Sequence, residues 1–319
     1  MSSPELPGPI AVIAGGLSHE RDVSLASGRN LVRALRALGI EAAPYDFDRG
    51  LLHNLERDKV VAALPALHGQ FGEDGEIQTL LELIAMPYVG STSRACRVAY
   101  DKATARELLR RGGLPVPDSV GLSAQTFRDI GANALMEHVI ERLGERVVVK
   151  PSRGGSALGV TGVDGLATLP SALVGTYAYC EEALVERFYA GIDVSVVVRE
   201  TDEGLAPLTP VHIDFTKGHE FDFAARYTAE FVGLAKPDLP QDLLDRLGET
   251  AVRAHEILGL RDLSRSDFIV SPDGSFVVLE VAITPGTTET SVFPYACTAS
   301  GTSLGAVALD LLKRAVARS

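Results

Sequence analysis

A chain of 319 residues, 46% hydrophobic and 23% charged, has the make-up of a folded globular protein of about two domains, or three small ones, and excludes wholesale disorder, collagen-like repeats and coiled coil. Its 30 Lys and Arg against 42 Asp and Glu leave a net charge of −12, which opposes sequence-independent binding to nucleic acid or to an anionic membrane. Cys96, Cys180 and Cys297 form no CxxC pair, and no run approaches the ~20 apolar residues of a membrane span, so a reducing cytoplasm fits best.

In chain order, the apolar run Ile10-Ala11-Val12-Ile13-Ala14 ending at Gly15-Gly16 reads as a buried parallel strand and a glycine turn. Apolar residues from Asp22 to Leu38 recur at helical spacing, with Gly39 as the stop. Strands are expected near Lys59–Leu64 and Pro87–Val89, with a helix near Ile77–Ile84 between them. A charged helix follows over Asp101–Arg111, closed by Gly112-Gly113. Next come a strand over Arg146–Lys150, a glycine-rich loop, a helix near Leu169–Tyr177 and a strand Ala183–Glu186. The remainder reads as a strand Asp193–Val198, a polar loop near Lys217–Tyr227, a helix from about Gln241 to Leu258, strands near Asp267–Val270 and Ser275–Val281, and a last helix over Leu304–Val316. Alternating strands and helices imply α/β layering, with α+β subdomains after the first hundred residues.

The loop from Lys150 to Gly159 follows a strand and combines glycines, two cations and two hydroxyls. Such a loop either wraps phosphates with backbone N–H groups or is a surface hairpin, and it matches neither GxxxxGK[ST] nor GxGxxG. Asp267 and Glu280 lie on strand-like runs joined by a hairpin turn, which, if the two strands pair, can bring both carboxylates to one face. That pair suits a hard cation such as Mg²⁺, or is a solvated face with Arg265 in a salt bridge. His68, at the end of a hydrophobic strand, contacts a ligand or is structural. Glu20 stands either in a site or at a helix start favoured by the dipole.

Taken together, Gly15 to Leu25, Leu67-His68-Gly69 with Gly72-Glu73-Asp74-Gly75, Asp101-Lys102, the Lys150 to Gly159 loop, Arg265-Ser266-Asp267, and Glu280 with Pro285-Gly286 resemble the D-alanine–D-alanine ligase family over about Ile10 to Leu312. The resemblance implies an ATP-grasp fold with an N-terminal Rossmann-like open-sheet domain (1–100), a central ATP-grasp subdomain (101–189) and a C-terminal one carrying the metal and oxyanion site (190–319). It implies that ATP phosphorylates a first D-alanine and that the amine of a second attacks the acylphosphate, for peptidoglycan precursor synthesis. ATP falls to Lys102, Lys150, Ser156, Glu186, Phe188, Tyr189, Asp193 and Arg226. The same resemblance places Glu20, Val23 and His68 at the first-substrate site, where the protonation state of His68 is expected to matter near neutral pH, assigns the oxyanion hole to Arg265 and Gly286, and gives the second carboxylate to Ser291. Tyr227, on a mobile loop, joins Ser156 and Glu20. Asp267 and Glu280 hold Mg²⁺, or Mn²⁺ in its place. The partners implied are small molecules and a second copy in a homodimer, with no nucleic acid and no membrane.

The chain departs from that family at three places. Ala282 stands where the family has an asparagine ligand, so a second metal lacks one of its oxygens. Ala224 and Arg226 stand where the mobile loop has glutamate and lysine. Glu289 replaces a small residue beside the second-substrate pocket and is expected to alter acceptor choice. These departures leave two further readings open: an ATP-grasp ligase for another amino acid pair, and a catalytically impaired nucleotide-binding paralogue.

Overall fold

In a computed structural model, the structure describes residues 6–130, 132–215 and 232–318. Strands β1 (Ile10–Ala14), β2 (Ala42–Asp46) and β3 (Ala62–Pro65) form a parallel sheet in the order β2-β1-β3. Helices α1 (Arg21–Arg36) and α2 (Leu51–Arg57) make the crossovers. Every residue of β1 is buried, because one apolar cluster covers each face of the sheet: Leu31 and Leu35 of α1 on one side, Leu51, Leu55, Ile77 and Leu81 on the other. Helix α1 packs so closely on β1 that a Cβ at Gly28 would lie 2.5 Å from that of Ala14.

The expected strand at Pro87–Val89 is reduced to one bridge between Tyr88 and Ala63. Pro87 has no N–H to extend the ladder, and Gly90 turns the chain away with φ +121°. Helices α3 (Glu76–Leu83) and α4 (Ser93–Tyr100) flank this segment. Strand β2 and helices α2 and α4 went unread in the sequence.

Helix α5 (Lys102–Arg111) leads from α4 into the second sheet, β4-β7-β5-β6, made of β4 (Ser119–Ser123), β5 (Arg146–Pro151), β6 (Thr161–Asp164) and β7 (Glu182–Arg187). All its pairings are antiparallel. Helices α6 (Ala124–Ile130), α7 (Ala132–Leu143) and α8 (Leu169–Thr176) accompany it, and Val147 and Val149 pack with Leu169 and Leu173.

The third sheet, also antiparallel, runs β11-β10-β8-β12-β13 with β9 on β8: β8 (Ile192–Thr201), β9 (Gly204–Pro207), β10 (Val211–Phe215), β11 (Val232–Ala235), β12 (Leu263–Val270) and β13 (Phe276–Ala282). Strand β8 is central and buried on both faces. Val194, Val196 and Val198 join the core under α5 and α9 (Gln241–Ile257), while Val197 faces the core shared with α10 (Val292–Ala299) and α11 (Leu304–Ala317). Helix α11 also packs against α1, drawing the C-terminal segment back to the first sheet. Among the described residues the three cysteines are free thiols, and no single helix is long and apolar enough to cross a membrane.

Candidate active site

A cavity opens where the three sheets meet, and its wall combines residues distant in sequence: Glu20, His68 and Glu73 from the first sheet's loops, Lys102 and Arg106 from α5, Gly154 to Ser156 from the β5–β6 loop, and Arg265, Glu280, Ala282, Gly286 and Ser291 from the C-terminal third.

Glu20 stands at the start of α1 and is buried at 4% exposure. Its Oε1 accepts the hydroxyl of Ser156, a residue 136 positions away. Burial pushes the Glu20 carboxyl above its ordinary value, while the Ser156 hydroxyl and the Lys102 charge pull it down. Two glycines admit it. A Cβ on Gly155 would sit 3.1 Å from Oε1, and one on Gly69 would sit 2.3 Å from Oε2. Ser156 and Ala157 both hold positive φ, +54° and +60°, an uncommon state for non-glycine residues and one that bends the loop over the cavity.

His68 is corrected by the structure. It is buried, its Nε2 lies 3.0 Å from the Ser27 hydroxyl, and burial followed by the Arg265 charge pushes its pKa down to about 4. The ring is therefore neutral throughout the physiological range and does not titrate near pH 7. Glu73, missed as a site residue, accepts the Gly69 N–H at 2.9 Å, and burial and then the charge of Glu20 push it up to about 8.

Lys102 is the first residue of α5, whose N-cap Asp101 accepts the Thr104 N–H at 2.9 Å and the Arg153 Nε–H at 3.0 Å. The Lys102 ammonium donates to the Gly154 carbonyl and lies 3.7 Å from Glu280. Helix and glycine loop are thereby tied at the cavity. Lys150 points elsewhere, to Glu186 at 2.5 Å, and Arg106 meets the same carboxylate at 2.5 Å. Arg106 went unread in the sequence, although one helical turn past Lys102 puts it on the same helix face.

Asp267 and Glu280 are direct cross-strand partners on β12 and β13, so the expected juxtaposition of the two carboxylates holds. Arg265 clamps Asp267 through two bonds, 2.8 and 2.7 Å, and the Ser195 hydroxyl donates to it at 2.6 Å. Ala282, opposite Arg265, brings only a methyl to the wall. Among the described residues no three His, Cys, Asp or Glu gather as a complete metal cage. Two carboxylates still fit Mg²⁺, which keeps several waters and takes substrate phosphates as ligands.

Gly286 and Ser291 lie on the cavity wall, the Ser291 hydroxyl 2.7 Å from that of Thr288. Glu289 turns away from it: its exposed carboxylate pairs with Arg33 of α1 at 2.5 Å. Val23 is half-buried on α1, and Phe188, Tyr189 and Asp193 lie at the β7–β8 connection; none of the four lines the cavity. Ala224, Arg226 and Tyr227 fall outside the described residues.

The arrangement offers a cationic, glycine-lined loop for phosphates, an arginine beside paired carboxylates, and a buried glutamate able to take an ammonium group. A family model described as D-ala D-ala ligase C-terminus matches residues 108–313, and one described as D-ala D-ala ligase N-terminus matches residues 50–91. The chain is 38% identical over 287 residues to a D-alanine–D-alanine ligase of Geobacter sulfurreducens, covering 89% of this chain and 86% of that protein. It is 36% identical to one of Desulforudis audaxviator, covering 97% and 99%. A solved D-alanine–D-alanine ligase of Bacillus anthracis in complex with ATP superposes with a TM-score of 0.80 at 26% identity, covering 98% of each chain.

Proposed function

The chain belongs to the D-alanine–D-alanine ligase family, and from that premise we infer that it is an ATP-dependent ligase that joins two D-alanines for peptidoglycan precursor synthesis. The observation carrying this reading is the convergence of Glu20, Ser156 and Arg265 on one cavity from three separate parts of the fold.

The first D-alanine docks its ammonium on Glu20, whose burial strengthens the ion pair once formed. Lys102 and the backbone of Gly154 to Ser156 hold the phosphate chain of ATP, with Lys150 behind them. Phe188, Tyr189, Asp193 and Arg226 belong to the same nucleotide proposal. Asp267 and Glu280 would hold Mg²⁺, which would supply neutralisation of the phosphate charge. The D-alanine carboxylate attacks the terminal phosphorus of ATP, ADP leaves, and an acylphosphate forms. The deprotonated amine of the second D-alanine, oriented through its carboxylate at Ser291, then adds to the acyl carbon. Arg265 and Gly286 stabilise the oxyanion of that tetrahedral species until phosphate departs, a service worth roughly 10²–10³ in rate per donor on the general scale of oxyanion holes. Neutral His68 and Val23 shape the first-substrate side, and Tyr227 closes the Ser156–Glu20 connection. A homodimer in the cytoplasm is part of the same proposal, with sedimentation as its check.

The test is phosphate release by purified protein with ATP and Mg²⁺, with and without D-alanine, together with mass spectrometry of the product. D-alanine-dependent release with D-alanyl-D-alanine formed is the expected result. Release with another amino acid pair only would point to a divergent ligase, and ATP binding without turnover on any pair would point to an impaired paralogue. Glu289, paired with Arg33 at 2.5 Å and outside the cavity wall, gives the divergent-acceptor reading less support than its place in the sequence suggests.

A further inference from the structure

Helix α5 sends two cations toward the cavity, Lys102 at its first residue and Arg106 one turn later. Arg106 is 3% exposed. Its Nη2 donates to Glu186 Oε1 at 2.5 Å and to the Leu279 carbonyl at 3.1 Å, so it bridges β7 and β13. Its Nη1 is buried with no acceptor among the described residues. Glu186, 2% exposed, receives the Lys150 ammonium on the same oxygen at 2.5 Å.

One buried carboxylate thus serves two buried cations, and the cluster holds one positive charge in excess. Such a charge is costly away from water unless an anion completes it. Burial accordingly drives Lys150 below its ordinary pKa. The two cations differ in mobility. Arg106 is a planar fork anchored on two strands, whereas Lys150 is a point charge on a flexible stem. If one of them is to leave Glu186 for an incoming anion, it is the lysine.

We propose that Arg106 is a positioning residue for nucleotide binding: by holding Glu186 in place and compensating its charge, it frees Lys150 to pass from Glu186 to the phosphate chain of the bound nucleotide. The proposal rests on the ATP-using reading above. Its consequence is specific. Without Arg106, Glu186 and Lys150 form a one-to-one buried pair, and phosphates must compete with that pair for the lysine.

The experiment is calorimetric titration of wild type, Arg106→Gln, Arg106→Lys, Glu186→Gln and the Arg106→Gln/Glu186→Gln double variant with ATP and, separately, adenosine, without D-alanine, each variant checked by thermal melting. Arg106→Gln is expected to weaken ATP by roughly tenfold or more, the scale of an altered buried charge contact, and adenosine by less than about twofold. Arg106→Lys restores part of the ATP affinity. In the Glu186→Gln background the Arg106→Gln change alters ATP affinity by less than about twofold, since no carboxylate is left to retain Lys150. Equal losses for ATP and adenosine, or the same ATP loss in both backgrounds, would overturn the proposal. Should Arg106→Gln fail to fold, Arg106→Lys carries the comparison: an intermediate loss confined to ATP supports the proposal, and an equal loss for both ligands refutes it. Wild type that binds no ATP would instead remove the nucleotide reading itself.

Discussion

Gly69→Ala is the substitution whose effect the structure specifies most closely, because a matched control exists in the same chain. Gly69 and Gly39 both hold left-handed backbone, φ +67° and +77°, so alanine at either position pays about the same strain, roughly 1–2 kcal/mol. A Cβ on Gly39 meets nothing within 4 Å, whereas one on Gly69 would lie 2.3 Å from Glu20 Oε2 and 3.3 Å from its Cδ. Glu20 is held on its other side by Ser156 at Oε1 and by the close approach of Gly155, so it can yield only by turning into the cavity it lines. The carboxylate must rotate and give up that hydrogen bond, a loss on the order of 1.5–3 kcal/mol for a bond to a charged group. Both variants should melt a few degrees below wild type. Steady-state phosphate release against D-alanine concentration then separates them. Gly69→Ala is expected to raise the first-site KM by roughly tenfold or more, and Gly39→Ala to leave it within about twofold. Equal KM values in the two variants would refute the placement of Glu20 as the ammonium anchor.

Three further predictions follow from the same geometry. Glu73, pushed up to about 8 from an ordinary 4.5, binds a proton in the folded chain that the unfolded chain has lost, so it lowers stability as pH rises between those values. His68 and His255, both pushed down to about 4, act in the opposite sense but only up to their ordinary 6.5. Between about pH 6.5 and 8 the melting temperature of the ligand-free protein should therefore lose more with rising pH in wild type than in Glu73→Gln, Lys150 acting alike in both; identical slopes would show that Glu73 is ionised throughout. Glu289→Ala removes an exposed ion pair with Arg33, so both D-alanine KM values should stay within about twofold and stability within about 0.5 kcal/mol. A large KM change would return Glu289 to the acceptor pocket. Ala282→Asn adds a ligand oxygen beside Glu280 and is expected to tighten Mn²⁺ several-fold, read by electron paramagnetic resonance with a non-hydrolysable ATP analogue. Unchanged affinity would mean that the Ala282 methyl does not face the cation.

Much of the fold was legible because helix and strand patterns are set within a few residues along the chain. Helices α1, α5, α9 and α11, the unbroken apolar run of β1 and strand β13 all lie within about two residues of where the sequence put them, while β12 starts four residues earlier than expected, at Leu263. The pairing of Asp267 with Glu280 was legible for the same reason, since a hairpin brings its own two strands together. Strand β2 was not. Its sequence Ala42-Ala43-Pro44-Tyr45-Asp46 has little strand character of its own and is extended because β1 offers it a parallel edge.

The site divides along the same line. Residue types and their order, through the family they resemble, pointed to Glu20, Lys102, Ser156, Arg265 and Gly286, and the fold brings those five to one cavity. The states of the side chains were decided only in three dimensions. Burial pushes His68 down and Glu73 up in pKa, Glu186 is shared by Arg106 and Lys150, and Glu289 pairs with Arg33. Periodicity depends on near neighbours in sequence. Desolvation and Coulomb interaction depend on whatever atoms lie within a few ångströms, and here those atoms come from segments up to 256 residues apart.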